Sequence, residues 1–332
     1  MNAPYPWQQT PWQQLQQARQ AGQLPHAVLL HGPAGIGKQD FALAAVHSLL
    51  CEQPGPADQA CGQCKACQLL KCDNHPDFIH IQPEETGKAI KIDQIRELIR
   101  QMGLSAHFGG YRVVLISQAE QMNLAAANSL LKTLEEPQPN TLIMLVSSQL
   151  SRLPATIRSR CQMLRFAMPA RAMAQGWLET QLGEQEQAGV LLNAANGAPM
   201  LAIQMAENDI LGTRRQLLDD LLALWSGQKQ ALAVAADWSK MSEISPMLCL
   251  YHWLCDLIRA KAAGGQFTVD QNCSRLLQSQ TETIDLGKLF QLHDQVNEAL
   301  RLQQTSANGL LLLEAVLLGW TYLNANPQRR RA

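Results

Sequence analysis

Net charge is the first thing this sequence lacks: 27 Lys and Arg stand against 28 Asp and Glu, a formal charge of -1. That balance gives no electrostatic reason for a wide nucleic-acid footprint of the chain's own. Long apolar runs are also missing. The best candidate, Gly309 to Trp320, is interrupted by Glu314 and falls short of the roughly 18 apolar residues a membrane span needs. The start, MNAPYPWQQTPWQQ, has neither an early basic cluster nor an apolar core, so no secretory signal is expected and the predicted compartment is the cytoplasm. What remains is a globular composition, 46% apolar and 17% charged over 332 residues, enough for two or three cored domains.

Cysteine is not scarce, but disulfides are not expected in a reducing compartment, where close thiols turn to metal or catalysis. Five of the nine crowd together: Cys51, Cys61, Cys64, Cys67 and Cys72. Cys51, Cys61, Cys64 and Cys67 offer four thiolates at turn-compatible spacing, and tetrahedral zinc is the predicted occupant. Four protein ligands leave no open position, so that zinc is expected to be structural. Cys72 stands as the substitute ligand should the register shift. Cys161, Cys249, Cys255 and Cys273 lie in apolar surroundings and read as core filler.

Along the chain, five β-rich runs alternate with helical patterns: Ala27 to His31, Phe78 to Ile81, Arg112 to Ser117, Thr141 to Ser147 and Gln162 to Phe166. Most are continuously apolar, as suits a parallel sheet covered on both faces. The helical stretches between them are Lys38 to Leu50, Ile92 to Gln101 and Glu120 to Glu135, the last stopped by Pro137 and Pro139. This predicts a doubly wound α/β domain. After Phe166 the β signal ends. Trp177, Leu178 and Leu182, then Val190 to Leu192, predict a small helical domain with a break at Asn196-Gly197. Leu217, Leu218, Leu221, Leu222 and Trp225, then Leu248, Tyr251, His252 and Cys255, then Leu310 to Leu318, predict a separate helical bundle. The Gln-rich start and the Arg329 to Arg331 tail read as solvated ends.

Gly32-Pro33-Ala34-Gly35-Ile36-Gly37-Lys38 fits G-x-x-x-x-G-K directly after a strand and at the opening of a helix. Glycines free backbone N–H groups for a phosphate, the helix N-terminus adds positive potential, and Lys38 neutralises the outer phosphates. The catalytic complement is incomplete. The next position, which should carry a hydroxyl for magnesium, is Gln39. The strand that should end in two carboxylates ends in Ser117 and Gln118, with Glu120 two residues too late. Two defects on separate elements predict little or no ATP hydrolysis.

LPHAVLLHGPAGIGK at Leu24 to Lys38, the four-cysteine insert, ANSLLKTLEEP at Ala127 to Pro137, and Ser159-Arg160-Cys161 together resemble the bacterial clamp-loader branch of the AAA+ proteins. The resemblance implies a RecA-like AAA+ module over residues 1–166 with a zinc insert at about 51–72. A helical lid over 167–207 and an all-α collar over 208–332 would follow. It implies a heteropentameric ring with delta and gamma or tau subunits, acting on a sliding clamp and primed DNA. The loop residues Gly32, Gly35, Gly37, Lys38 and Gln39 read as a degenerate nucleotide site, at which docking of ATP or ADP is left open and splitting is not expected. The resemblance gives Arg160 as an arginine finger, stabilising charge on ATP bound by the neighbouring subunit. Ser147 and Ser148 stand where active members sense the γ-phosphate, and Met200 follows Gly197-Ala198-Pro199 where the lid arginine is expected.

Read without the resemblance, Arg158 and Arg160 are surface residues paired with local carboxylates. Leu130, Leu131 and Leu134 are core, Lys132, Glu135 and Glu136 a solvated face, and His26 and His31 structural. Two rival functions remain: a hydrolysing AAA+ motor that reroutes metal through Gln39 and Glu120, and a free-standing zinc-and-P-loop nucleic-acid binder. The near-neutral charge opposes the second.

Overall fold

The computed structural model describes residues 4–323 apart from 56–57, 86, 104–109, 184, 209, 242–244, 264–283 and 304–306. Cys273 and Arg329 to Arg331 lie outside the described residues. The chain divides into two compact units, residues 1–181 with 197–201, and residues 182–196 with 202–332.

The first unit is built on five strands, β1 (Ala27–His31), β2 (Phe78–Ile81), β3 (Arg112–Ile116), β4 (Thr141–Ser147) and β5 (Gln162–Arg165), in the spatial order β2-β3-β4-β1-β5. All pairings are parallel, with Val28 opposite Met144 and Val114 opposite Ile143. The order places β1 between β4 and β5, so the loop leaving β1 opens at the C-terminal end of an interior strand. There an open α/β sheet offers a ligand crevice. Continuous apolar runs follow from cover on both faces: Val113, Val114, Leu115 and Ile116 are fully buried. A parallel five-stranded sheet with helices on it is what the resemblance implies for this segment.

Helices α1 (Gln9–Gln20), α2 (Lys38–Leu50), α3 (Lys65–Lys71), α4 (Ile92–Met102), α5 (Leu124–Glu135), α6 (Ala155–Arg158) and α7 (Arg171–Leu182) complete this unit; α7 runs one residue past its edge. Helix α5 starts later than the sequence suggests. Gln118 adopts a left-handed conformation with φ of 50°, Ala119 to Gln121 form one 3-10 turn, and Asn123 caps α5 by accepting from the Ala126 N–H at 2.8 Å. Leu130 and Leu134 of α5 are buried, with Ile95 and Leu98 of α4 in the same core.

The Gln-rich start is not a solvated end. Trp12, Leu15 and Gln16 of α1 are buried, and Gln8 is fully buried because its amide bonds main-chain carbonyls elsewhere. Near-complete burial of an amide needs such partners.

The second unit is helical: α8 (Gln185–Ala194), most of α9 (Pro199–Glu207), α10 (Ile210–Trp225), α11 (Ala231–Trp238), α12 (Pro246–Ala263), α13 (Leu286–Leu302) and α14 (Gly309–Leu323). Leu217, Leu221, Trp238, Trp253, Leu289 and Trp320 centre its core. On α12 the buried stripe is Met247, Leu250, Trp253, Leu254 and Leu257, while Leu248 is 44% exposed. Of the residues read at helical spacing here, Tyr251 packs against this core from a half-buried position while Leu248 faces outward. Tryptophan at the helical period, not leucine alone, marks the core side. No helix among the described residues is long and apolar enough to cross a membrane.

Candidate functional site

The glycine loop leaves β1 at Gly32 and enters α2 at Lys38, as the motif requires. Its glycines hold positive φ, and each is pressed by the chain itself. A β-carbon on Gly32 would overlap the Phe166 carbonyl oxygen. One on Gly35 would sit 2.8 Å from Leu201 Cβ and 3.0 Å from Ala198 Cβ. One on Gly37 would overlap the Tyr5 ring. The Met200 N–H donates to the Gly35 carbonyl at 2.9 Å, tying the turn before α9 to the loop.

The amino-terminal segment covers the loop from the other side. Gln8 Nε2 donates to the Ile36 and Gly37 carbonyls at 3.0 and 2.8 Å, and Trp7 Nε1 donates to the Ile36 carbonyl at 3.0 Å. Tyr5 stacks on Trp7 with ring centres 5.0 Å apart, and both meet the edge of Trp177 from α7 at 5.2 Å. Tyr5 also donates its hydroxyl to Asp40 at 3.2 Å, and burial with that carboxylate pushes its pKa up. None of these aromatic contacts shows helical or strand periodicity, which is why sequence reasoning misses them.

Lys38 is buried and turned onto its own loop. Its ammonium donates to the Gly32 carbonyl at 2.9 Å, to the Pro33 carbonyl, and to Ser148 Oγ at 3.1 Å. Burial lowers its pKa to about 8, opposed by the charge of Glu120. The Ser147–Ser148 pair therefore reaches the site through Ser148, while Ser147 Oγ accepts from the Gln149 N–H at 3.3 Å.

At the magnesium position, Ser117 Oγ donates to Gln39 Oε1 at 2.7 Å and lies 2.8 Å from His80 Nε2. Gln39 Nε2 also lies 3.4 Å from His80 Nε2, so the amide, the hydroxyl and the imidazole form one closed cluster. The result is a chain of three neutral groups where a cation site needs negative oxygen. Glu120 does not join it: Oε1 accepts from the Ser148 N–H at 3.0 Å, and nothing among the described residues bonds Oε2.

The sulfurs of Cys51, Cys61, Cys64 and Cys67 lie within 4.8 Å of one another. Cys51 Sγ to Cys64 Sγ and Cys61 Sγ to Cys67 Sγ are both 3.9 Å. A tetrahedron with Zn–S bonds of about 2.3 Å has edges of about 3.8 Å, so the donor set and spacing fit the metal. Backbone N–H groups of Cys61, Cys64 and Cys67 donate to the sulfurs of Cys51, Cys61 and Cys64, at 3.3, 3.3 and 3.4 Å. The N–H groups of Cys64 and Gln63 hold the Cys61 thiol down to about 6, while burial raises that of Cys67. Cys72 is exposed at the end of α3 and lies outside this group.

Arg160 follows α6. Its Nε donates to Glu135 Oε1 at 2.8 Å, Nη2 contacts the same oxygen, and Nη1 donates to the Thr156 carbonyl at 3.0 Å.

Residues 7–170 match the family described as DNA polymerase III, delta subunit, and residues 172–322 match the one described as DNA polymerase III, delta subunit, C terminal. A Pseudomonas aeruginosa protein named DNA polymerase III subunit delta' is 36% identical, over 96% of this chain and 98% of that one. The chain belongs to the DNA polymerase III delta' family. A Yersinia pestis delta' subunit is 31% identical over 95% of each chain, and that of Escherichia coli K12 is 33% identical over 76% of this chain and 75% of that one. A solved gamma subunit-related protein of Thermotoga maritima superposes with a TM-score of 0.48 at 17% identity, covering 94% of this chain and all of that one. In this delta' family member the glycine loop, the cysteine group and Arg160 all fall in the first matched segment.

Proposed function

We propose that this chain is a non-hydrolysing subunit of a cytoplasmic bacterial clamp loader. It would scaffold a heteropentameric ring with delta and gamma or tau subunits and lend Arg160 to the ATP of a neighbour. The ring would open a sliding clamp and load it onto primed DNA. Residues 1–166 serve as the nucleotide-binding-like module, 167–207 as its lid and 208–332 as the collar. Cys51, Cys61, Cys64 and Cys67 would hold a structural zinc, which ties the ends of the insert together.

The observation that carries the reading is the Gln39–Ser117–His80 chain. ATP cleavage needs a metal to neutralise the β- and γ-oxygens and a group to orient water. Here the three side chains satisfy one another and carry no negative charge. Lys38 is spent on loop carbonyls, and Gly35 and Gly37 are packed against Leu201 and Tyr5. A nucleotide entering this loop would have to displace those contacts, and cleavage would still lack its metal. An arginine acting across an interface needs no working site in its own subunit. A guanidinium is permanently charged and planar, suited to charge growing on a transferring phosphoryl group.

The test compares ATP turnover of the lone chain with that of the reconstituted ring, with Arg160 intact and with Arg160→Ala. The reading expects no turnover by the chain alone. It expects at least a hundredfold loss at the neighbouring site in the variant ring, assembly unchanged. Magnesium-dependent phosphate release by the lone chain, abolished by Lys38→Ala, would favour the hydrolysing motor.

A further inference from the structure

We infer that Glu135 is the positioning residue for Arg160: it holds the guanidinium in the one orientation from which it can meet a neighbour's phosphate. The inference rests on the reading of Arg160 as a finger in trans.

Glu135 is the last residue of α5, and Arg160 sits after α6, 25 residues on. A carboxylate at the C-terminal end of a helix opposes the helix dipole, so the stability of α5 does not explain an acid there. The sequence continues with Glu136 and Pro137, so Glu135 meets the end of α5 with a second carboxylate beside it. What it faces instead is a guanidinium from another element. Arg160 and Glu135 are 34% and 49% exposed at their side chains, a setting in which an ion pair adds little to folding. Its effect is on geometry.

The donor count shows how. A guanidinium has five N–H groups. Nε donates to Glu135 Oε1, with Nη2 in ion-pair contact with the same oxygen, and Nη1 donates to the Thr156 carbonyl and, at 3.4 Å, to Ser159 Oγ. The side-on edge is thereby anchored to the chain itself, and the remaining donors lie on the terminal nitrogens. An arginine left free would sample many rotamers and meet a phosphate in the right pose only part of the time. Glu135 and Thr156 remove that freedom in advance, one gripping the Nε edge and the other the Nη1 side.

The experiment uses the assembled ring of this chain with its delta and gamma or tau partners. It measures kcat and KM for ATP, together with assembly by size-exclusion chromatography, for the native ring and for Glu135→Ala, Glu135→Gln, Arg160→Ala and the double Ala variant. The expected result is a kcat about tenfold lower for Glu135→Ala with KM unchanged, most of the loss restored in Glu135→Gln, whose amide oxygen still accepts. The double variant should be no slower than Arg160→Ala. If Glu135→Ala fails to assemble, Glu135→Asp decides, since one methylene less withdraws the carboxylate without losing its charge; its kcat should fall about threefold. Native or faster kcat in the Glu135 variants, with Arg160→Ala still slow, overturns this inference and leaves the finger standing. Unchanged turnover in Arg160→Ala overturns both.

Discussion

The Tyr5 ring lies so close to the Cα of Gly37 that a β-carbon there would overlap it. The glycine that opens α2 therefore meets two demands at once: a left-handed turn with φ of 78° and the seat of an aromatic ring.

Gly37→Ala should accordingly lose about 2 kcal/mol or more of folding free energy, from backbone strain and overlap together. Tyr5→Ala in the same chain should recover part of that loss. Denaturant midpoints of the two single variants and the double variant measure it; simple additivity would show that the ring does not press on this glycine.

Lys38 sets a pH dependence of known sign. Its folded pKa of about 8 lies below the ordinary lysine value of 10.5, so between those limits the unfolded chain binds the extra proton. Stability from this group therefore rises as pH climbs from about 8 to about 10.5, and is lost on the way down. The full climb is on the order of 1 to 3 kcal/mol. Chemical unfolding across that range should show a steeper rise in the native chain than in Lys38→Met; parallel curves would contradict the buried ammonium.

The cysteine group predicts one zinc per chain by elemental analysis. Removing it with a strong chelator should lower the thermal midpoint and open amide exchange across residues 51–72, because so small an insert has little core of its own. Cys67→Ser should abolish the metal. Cys72→Ser should leave it in place, and loss of zinc in that variant would mean the ligand set is misassigned.

Asp220 bridges two parts of the helical unit, accepting from Trp238 Nε1 at 3.0 Å and Lys229 Nζ at 2.5 Å. Trp238 is buried, so Asp220→Ala strands its indole N–H and should cost about 1 to 3 kcal/mol. Asp220→Asn keeps an acceptor and should cost less. Equal losses in calorimetry would show that the indole bond contributes nothing.

Where chemistry is local in sequence, it is legible. The glycine loop, the cysteine group and the strands Val113 to Ile116 and Leu142 to Val146 are readable because their signals span a few residues each. The start of α5 is not, since the left-handed Gln118 and the cap at Asn123 divide what looks like one helical stretch from Glu120. Gln8 misleads because polarity predicts exposure, and only the fold brings the Ile36 and Gly37 carbonyls to its amide. His80 escapes notice for a related reason: it lies 37 residues from Ser117, and only the pairing of β2 with β3 makes them neighbours. Glu135 reads as a solvated carboxylate until α6 delivers Arg160 beside it.

Trp320 Nε1 donates to the Leu221 carbonyl at 3.0 Å across 99 residues, with both side chains inside the helical core. During synthesis, Trp225, Trp238 and Trp253 leave the ribosome before α14 exists to cover its share of that core. The nascent bundle therefore holds part of its indole surface uncovered until α14 is made.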